Sequence, residues 1–378
     1  GSIGISDKTI KRINATDDGC IGGAGVKMIE GKIGYMNAQN IIASGYVMDQ
    51  SNYTYEDDNV TVIGDNDDTP GNISIDVILK HDCQHFILHK AIDYVGNEQE
   101  EEKQPVKVDT RPPVIDREIG QPKCSNNAPY EYCVTTDTPI WINATDDTTF
   151  PCSVGGVNLT VAIYSFSTGG WTYYYAEVPT GSHDTASIGP IYLPEECKHW
   201  VNVTARDCLN NTAYDNFTVY VDDTPPQIIK TVGDPKIAGN GKPDYWVTTD
   251  TVITINAEEQ GCCNLELESV SYRIYYNGDW TPWIDITTEL PYNLTFSEEC
   301  NHTLQIVAKD CLGNTAWDNE TFYVDDTPPD ISKEFSGPYY EKGNDIFITS
   351  NTKIWVNATD SGTEPCIVGS VELYVEIY

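Results

Sequence analysis

The chain has 378 residues with 58 acidic side chains against 22 Lys and Arg, a net charge of −36, and a surface of that sign repels nucleic acid and anionic membranes. No apolar run approaches the roughly 20 residues of a membrane-spanning helix, so helical membrane insertion is excluded. Twelve cysteines with no CxxC pair point to disulfides in an oxidising, extracellular space rather than to zinc sites.

In chain order, Thr9-Ile10-Lys11-Arg12-Ile13-Asn14-Ala15-Thr16-Asp17-Asp18-Gly19-Cys20 is the first copy of a segment that returns twice. It recurs from Thr138 to Asp147, followed by Cys152, and from Thr352 to Asp360, followed by Cys366. A strand precedes the later copies, Glu131 to Thr136 and Asp345 to Ser350, so the first module is expected to lack its first strand. It carries a long insertion, Gly31 to Pro70, rich in Asn, Tyr and Asp. A second repeated block runs from Val201 to Ile228, VNVTARDCLNNTAYDNFTVYVDDTPPQI, and is written again up to Ile331; His89 to Asn97 with Val108 to Pro113 is a looser copy. Self-similarity at a long fixed period implies an array of like modules.

Within each block apolar and polar residues alternate, as in Val201-Asn202-Val203-Thr204-Ala205 and Phe217-Thr218-Val219-Tyr220-Val221, which predicts strands with one buried face. Asp207 to Asn211 between them reads as a turn. The double proline then closes the module, because neither ring can donate a ladder hydrogen bond. The expected fold is all-β, a linear array of sandwich modules at 1–113, 114–226 and 227–329, with 330–378 as the N-terminal half of a fourth. The last stretch, Val371 to Tyr378, alternates cleanly and is expected to be a strand in need of a sheet. Both terminal modules are thus read as incomplete, and the absence of a leader at Gly1 as the mark of a mature or excised chain.

The first module offers only Cys20 and Cys83, which are expected to bond; by analogy Cys152 pairs with Cys197, and Cys262 or Cys263 with Cys300. The remaining member of that adjacent pair is left for Cys311, Cys124 and Cys133 close a small loop, and Cys208 and Cys366 remain unpaired or intermolecular. Asn-x-Ser/Thr sequons begin at Asn14, Asn52, Asn59, Asn72, Asn143, Asn158, Asn202, Asn210, Asn216, Asn293, Asn301, Asn319 and Asn357. Some arise by accident in a chain rich in Asn and Thr; the remainder imply N-linked glycans on a secreted protein.

The run A-x-D-C-x-x-N-T-A followed by V-D-D-T-P-P-x-I resembles the bacterial and archaeal Ig-like repeats of giant surface adhesins and surface-layer proteins. Those close their strands with A-x-D-x-x-G-N and link modules with V-D-x-x-x-P. The resemblance covers the C-terminal halves of three modules, and it implies Ig-like β-sandwiches at a cell surface.

Calcium at the module joints is the chemistry these residues suit, since hard cations want several oxygen ligands. Asp222 and Asp223, or Asp325 and Asp326, are expected to join Asp207 or Asp310 from the preceding turn, and Asp17, Asp18, Asp146 and Asp147 lie in the N-A-T-D-D turns. The resemblance adds that such repeats use linker aspartates to bind calcium and stiffen a rod. The competing reading is that these side chains cap turns.

His81, His85 and His89 fall on a strand, where four residues span roughly 13 Å, and His85 recurs as His199 and His302, which favours a repeated structural role over a metal site. Aromatics such as Trp171-Thr172-Tyr173-Tyr174-Tyr175 and Trp280-Thr281-Pro282-Trp283 suit cross-strand packing better than a sugar-binding strip. No motif of a hydrolase or phosphate loop is present, and no non-repeated domain could hold an active site. The expected role is a non-enzymatic subunit of an extracellular filament, sheath or surface layer, self-associating head-to-tail by strand pairing of its terminal modules. The alternative is a stalk fragment of a large adhesin, with a carbohydrate or cell-surface ligand.

Overall fold

The computed structural model describes residues 3–5, 10–15, 26–36, 54–55, 60–63, 73–79, 82–125, 131–146, 151–263, 267–360 and 371–378. Among them the chain is all-β, its helical content a single 3-10 turn at Thr287–Glu289, and no helix is long and apolar enough to cross a membrane. The residues form two compact units, Gly1–Gln121 with Ala128–Tyr132 and Thr136–Val219, and Pro122–Asn127 with Cys133–Thr135 and Tyr220–Tyr378.

The first repeat contains β1 (Ile3–Ile5), β2 (Ile10–Ala15), β3 (Val26–Met36), β4 (Thr54–Tyr55), β5 (Val60–Ile63), β6 (Ile73–Ile78), β7 (Cys83–Asp93) and β8 (Glu102–Val108). One sheet runs β1-β8-β7-β3-β4 with β5 also on β3, and β2 pairs with β6. Ile13, Ile29, Leu79, Ile87, Val106 and Val108 fill the space between. The expected absence of a first strand is corrected here: β1 pairs in parallel with β8, Ile5 opposite Val108. Of the expected insertion, residues 31–36 belong to β3, a strand of the sandwich itself, and β4 and β5 pair against it.

The second repeat contains β9 (Val114–Ile119), β10 (Lys123–Ser125), β11 (Glu131–Val134), β12 (Ile140–Thr145), β13 (Val157–Ser165), β14 (Gly170–Val178), β15 (Ala186–Ile191), β16 (Cys197–Arg206) and β17 (Thr212–Val221). Its sheets are ordered β10-β11-β17-β16-β13-β14 and β15-β12-β9. Alternation decides which face is buried: Val157, Leu159, Val161 and Ile163 of β13 are buried, while the residues between them are half-buried or exposed.

The third repeat contains β18 (Gln227–Val232), β19 (Lys236–Ala238), β20 (Tyr245–Val247), β21 (Ile253–Glu258), β22 (Leu267–Tyr276), β23 (Asp279–Trp280), β24 (Ile284–Asp285), β25 (Tyr292–Leu294), β26 (Cys300–Asp310) and β27 (Thr315–Val324). The sheet β18-β21-β25 faces β19-β20-β27-β26-β22-β23, with β24 also on β22. Phe296, Leu304, Ile306 and Phe322 lie in the core between them, and each such side chain contributes about 1.5–3 kcal/mol by leaving water. β20 pairs in parallel with β27, Val247 opposite Val324, the same register that Ile5 and Val108 show in the first repeat.

Beyond Pro329, β28 (Asp330–Ser336) pairs with β31 (Lys353–Thr359), and β29 (Tyr339–Lys342) with β30 (Asp345–Ile348). Ile331, Phe347, Trp355 and Ile377 there are 69, 56, 54 and 93% exposed. Residues 371–378, expected as a strand from their alternation, carry no strand: alternation selects a face, but a strand needs a neighbour to hydrogen-bond.

Candidate metal centre

Three carboxylates meet where the first repeat passes into the second. Asp109 follows β8 in the linker, Asp146 follows β12, and Asp207 follows β16. Each is 1–2% exposed, and one ligand oxygen from each lies within 4.8 Å of the others. Backbone donors hold them. Asp109 accepts from Arg111 N at 3.1 Å and Val154 N at 2.8 Å. Asp146 accepts from Gly155 N at 2.7 Å and Ser153 Oγ at 2.5 Å. Asp207 accepts from Leu209 N and Asn211 N, both at 2.8 Å, and from Asn211 Nδ2 at 2.7 Å. Asn211 Nδ2 also donates to the Asp109 carbonyl at 3.0 Å, tying turn to linker.

Burial and neighbouring charge raise two of these groups, Asp109 and Asp207. The Asp109 carboxyl is pushed from 3.8 to about 6, chiefly by burial, with the charges of Asp146 and Asp207 adding to it and the Arg111 and Val154 amides opposing. Asp207 is raised for the same first reason, against the hydrogen bonds from Asn211 and Leu209. Asp93 is the instructive contrast. It makes the same turn bonds, to Val95 N at 2.9 Å and Asn97 N at 2.7 Å, yet it sits below its usual value, desolvation being outweighed by the hydrogen bonds from Asn97, Val95 and Gly96 taken together.

The arrangement recurs in the second unit with Asp222, Glu259 and Asp310. Asp310 accepts from Leu312 N at 2.9 Å and Asn314 N at 2.8 Å, and Asn314 Nδ2 donates to the Asp222 carbonyl at 3.0 Å, as Asn211 does to Asp109. Glu259 is pushed from 4.5 to about 7, first by burial and then by the charges of Asp310 and Asp222, and its Oε2 is buried with no hydrogen-bond partner. Gly261, at φ +94°, lets the loop close over Asp222; a Cβ there would stand 2.3 Å from Asp222 Oδ1.

The expected grouping is therefore corrected. Asp207 joins Asp109 and Asp146, because the turn of a module folds back onto the linker that enters it. Asp222 is likewise met by Asp310 of the following turn. Asp223 is half-buried and outside these sets. Asp325 accepts from Thr327 N at 3.1 Å, and the exposed Asp326 caps Thr249, accepting from its N at 3.1 Å and from its hydroxyl. Asp17, Asp18 and Asp147 lie outside the described residues. Asp109 and Glu259 were not anticipated, although each falls in a repeated column.

No protein-family model and no curated protein matches the chain. Solved structures do. A tetra-tandem repeat from the extending region of a large adhesion protein is 14% identical, with 89% of this chain and 77% of that one covered at a TM-score of 0.31. A Ca2+-stabilized adhesin of an ice-binding Antarctic bacterium is 12% identical over 88% and 74%, at 0.28. The chicken CNTN1 FN1-FN3 domains are 10% identical over 85% and 98%, at 0.24.

The donor set suits a hard divalent cation: it is all oxygen, with no thiol or imidazole, and calcium sits 2.3–2.6 Å from each of roughly six to eight such ligands. Without metal the cluster must share protons. A folded pKa raised above its unfolded value stabilises fully below the unfolded value, about 3.8 for Asp109, and the contribution is lost as pH rises through about 6. In chelator, the stability gap between the native chain and Asp109→Asn should therefore shift against the native chain by about 2 kcal/mol from pH 4 to 7.5. Urea unfolding at several pH values measures this, and a pH-independent gap would remove the coupling.

The disulfides depart from the expected pairing. Cys83 bonds Cys152, not Cys20, with Cα atoms 5.0 Å apart, and Cys124 bonds Cys311, 6.2 Å apart. Cys152 is thereby unavailable to Cys197, Cys124 to Cys133, and Cys311 to Cys262 or Cys263. Cys197, Cys262 and Cys300 are also bonded, Cys133, Cys208 and Cys263 carry free thiols, and Cys20 and Cys366 lie outside the described residues. The physical reason is that the loop before β13 leans on the preceding linker through Val154 N, which carries Cys152 to the start of β7.

Cys83, Cys197 and Cys300 share a left-handed backbone, φ 83, 77 and 88°, and two residues on, the buried His85, His199 and His302 each place Nδ1 3.1 Å from that cysteine's carbonyl. Trp171, Tyr173 and Tyr175 are exposed on one face of β14, their rings stacked at 6.1 and 6.5 Å. Of the sequon asparagines, Asn158, Asn210, Asn216, Asn293, Asn301, Asn319 and Asn357 are exposed and Asn143 and Asn202 half-buried.

Proposed function

We propose that this chain is a stalk section of a large extracellular adhesin, a non-catalytic, N-glycosylated array whose module joints are stiffened by calcium. The observation that carries the reading is the set Asp109, Asp146 and Asp207, buried and within 4.8 Å of one another at the passage from one repeat to the next. Burying three carboxylates is costly unless a cation compensates them. Asp109 belongs to the first repeat's exit and the other two to the second repeat, so an ion shared among them fixes the angle between the modules. The first site is the set Asp109, Asp146 and Asp207; Asp222, Glu259 and Asp310, where Glu259 feels the charges of the other two, form a second, less tightly gathered one.

Calorimetric titration of the metal-free chain with calcium, alongside small-angle scattering, tests this. Heat from at least two sites, with a narrower distribution of end-to-end distances when calcium is bound, supports a stiffened stalk; no heat and an unchanged scattering profile would overturn it.

A second reading, a filament subunit that polymerises head-to-tail by strand pairing, draws on the apolar side chains left exposed by β28 to β31, since uncovered strands of this kind recruit other strands. Light scattering and negative-stain microscopy of the intact chain beside one ending at Pro329 separate the two. Filaments that vanish on truncation establish the polymer, whereas monodisperse material in both cases leaves the stalk.

A further inference from the structure

Cys133 and Cys263 are 0 and 3% exposed and form a small buried cluster with Leu312, against which Cys124 and Tyr220 pack. The two thiols pack in the same cluster, and Cys263 Sγ lies 3.5 Å from the Tyr220 carbonyl oxygen. Cys124, the neighbour in this cluster, is already joined to Cys311. Four cysteines thus meet in one apolar spot of the second unit, with one bond made among them. Two thiols held in contact, in a chain whose other described cysteines except the exposed Cys208 are all bonded, have lost the chain entropy that normally opposes closure.

We propose that Cys133 and Cys263 are the two halves of a further disulfide, a covalent modification site that locks β11 to the loop between β21 and β22. The oxidant is a small-molecule disulfide such as oxidised glutathione. The thiolate of one cysteine displaces one glutathione thiol to give a mixed disulfide, and the second cysteine displaces the other, so two electrons and two protons leave with two molecules of glutathione. Burial shields both sulfurs from an oxidant in the folded chain, so the bond closes during folding, before the cluster is covered. Its consequence reaches the second carboxylate set: the backbone N–H of Cys263 donates to Asp222 Oδ2 at 3.1 Å, and Glu259 lies on the same loop.

The test is to refold the full chain in a glutathione redox buffer, unfold it without reductant, alkylate with iodoacetamide and map the digested peptides by mass. The expected result is a linked Cys133–Cys263 peptide with Cys208 alkylated. Alkylation of both Cys133 and Cys263, or a link from either to Cys124 or Cys311, overturns the proposal.

Melting of the variants under non-reducing conditions gives an independent readout. Cys133→Ser and Cys263→Ser should each lower the midpoint by about 5–10 °C, and the double variant by no more than either one, because a single bond is lost in all three. Two losses that simply add would show separate packing roles and sink the bond.

Discussion

Asp207→Asn should leave the metal-free chain as stable as the native one or more stable, and make it clearly less stable once calcium is present. In chelator near neutral pH, Asp207 contributes a charge that Asp109 and Asp146 must tolerate in a site 1–2% exposed, and an amide removes that repulsion while its oxygen still accepts from Leu209 N and Asn211 N, giving up only the bond that Oδ2 accepts from Asn211 Nδ2. With calcium the same charge is a ligand. A ligand at a hundred times its dissociation constant stabilises by about 2.7 kcal/mol, which for a unit of 150–250 residues is a rise in melting temperature of about 5–10 °C. The native chain should show that rise for each site filled, and Asp207→Asn should lose the share belonging to the first joint. Differential scanning calorimetry with calcium or chelator reads both signs in one experiment. A variant destabilised equally in both conditions would show that Asp207 only caps its turn, through the bonds it makes to Leu209 N and Asn211 N. Glu259→Gln is the matching change at the second set, where its buried, unpartnered Oε2 marks the ligand position.

The strands were legible because a half-buried strand must alternate, and Val157 to Ser165 or Cys300 to Asp310 do so without a break. β1 was missed because Ile3-Gly4-Ile5 is too short to alternate, although Ile5 stands four residues before Thr9, as Val134 stands four before Thr138, and could have pointed to it. Spatial grouping was harder to read. Asp207 and Asp222 look like one set because only a strand separates them, but a strand of ten residues spans roughly 33 Å and carries the two carboxylates to opposite ends of the sheet. Asp109 was hidden in the loosest copy of the linker, and Glu259 by the change from Asn-Ala-Thr-Asp to Asn-Ala-Glu-Glu in an otherwise aligned column. The cysteine pairing failed for a related reason: elimination assumed self-contained modules, whereas the Cys83–Cys152 bond crosses from one repeat to the next.

That bond should couple stability to metal binding. Replacing Cys83 and Cys152 together with serine removes a cross-link over 69 residues, worth about 2–4 kcal/mol in restricting the unfolded chain. Serine at position 83 keeps the left-handed φ of 83°, which costs any non-glycine residue about 1–3 kcal/mol, whereas glycine is relieved of it. Cys83→Gly with Cys152→Ser should therefore be less damaging than the double serine, by about 1 kcal/mol. The sharper signature is at the carboxylates. Ser153 Oγ, Val154 N and Gly155 N, the three groups that follow Cys152, donate to Asp146 and Asp109. Freeing Cys152 lets that loop drift from the cluster, so calcium affinity at the first joint should fall about tenfold, the scale on which outer-sphere partners act on a metal site. The set on Asp222, Glu259 and Asp310 has its own loop and should keep its affinity. Calorimetric titration of both double variants resolves this. A first-joint affinity equal to that of the native chain would mean that the disulfide only stabilises the fold, while equal weakening at both joints would mean that its removal acts through global unfolding.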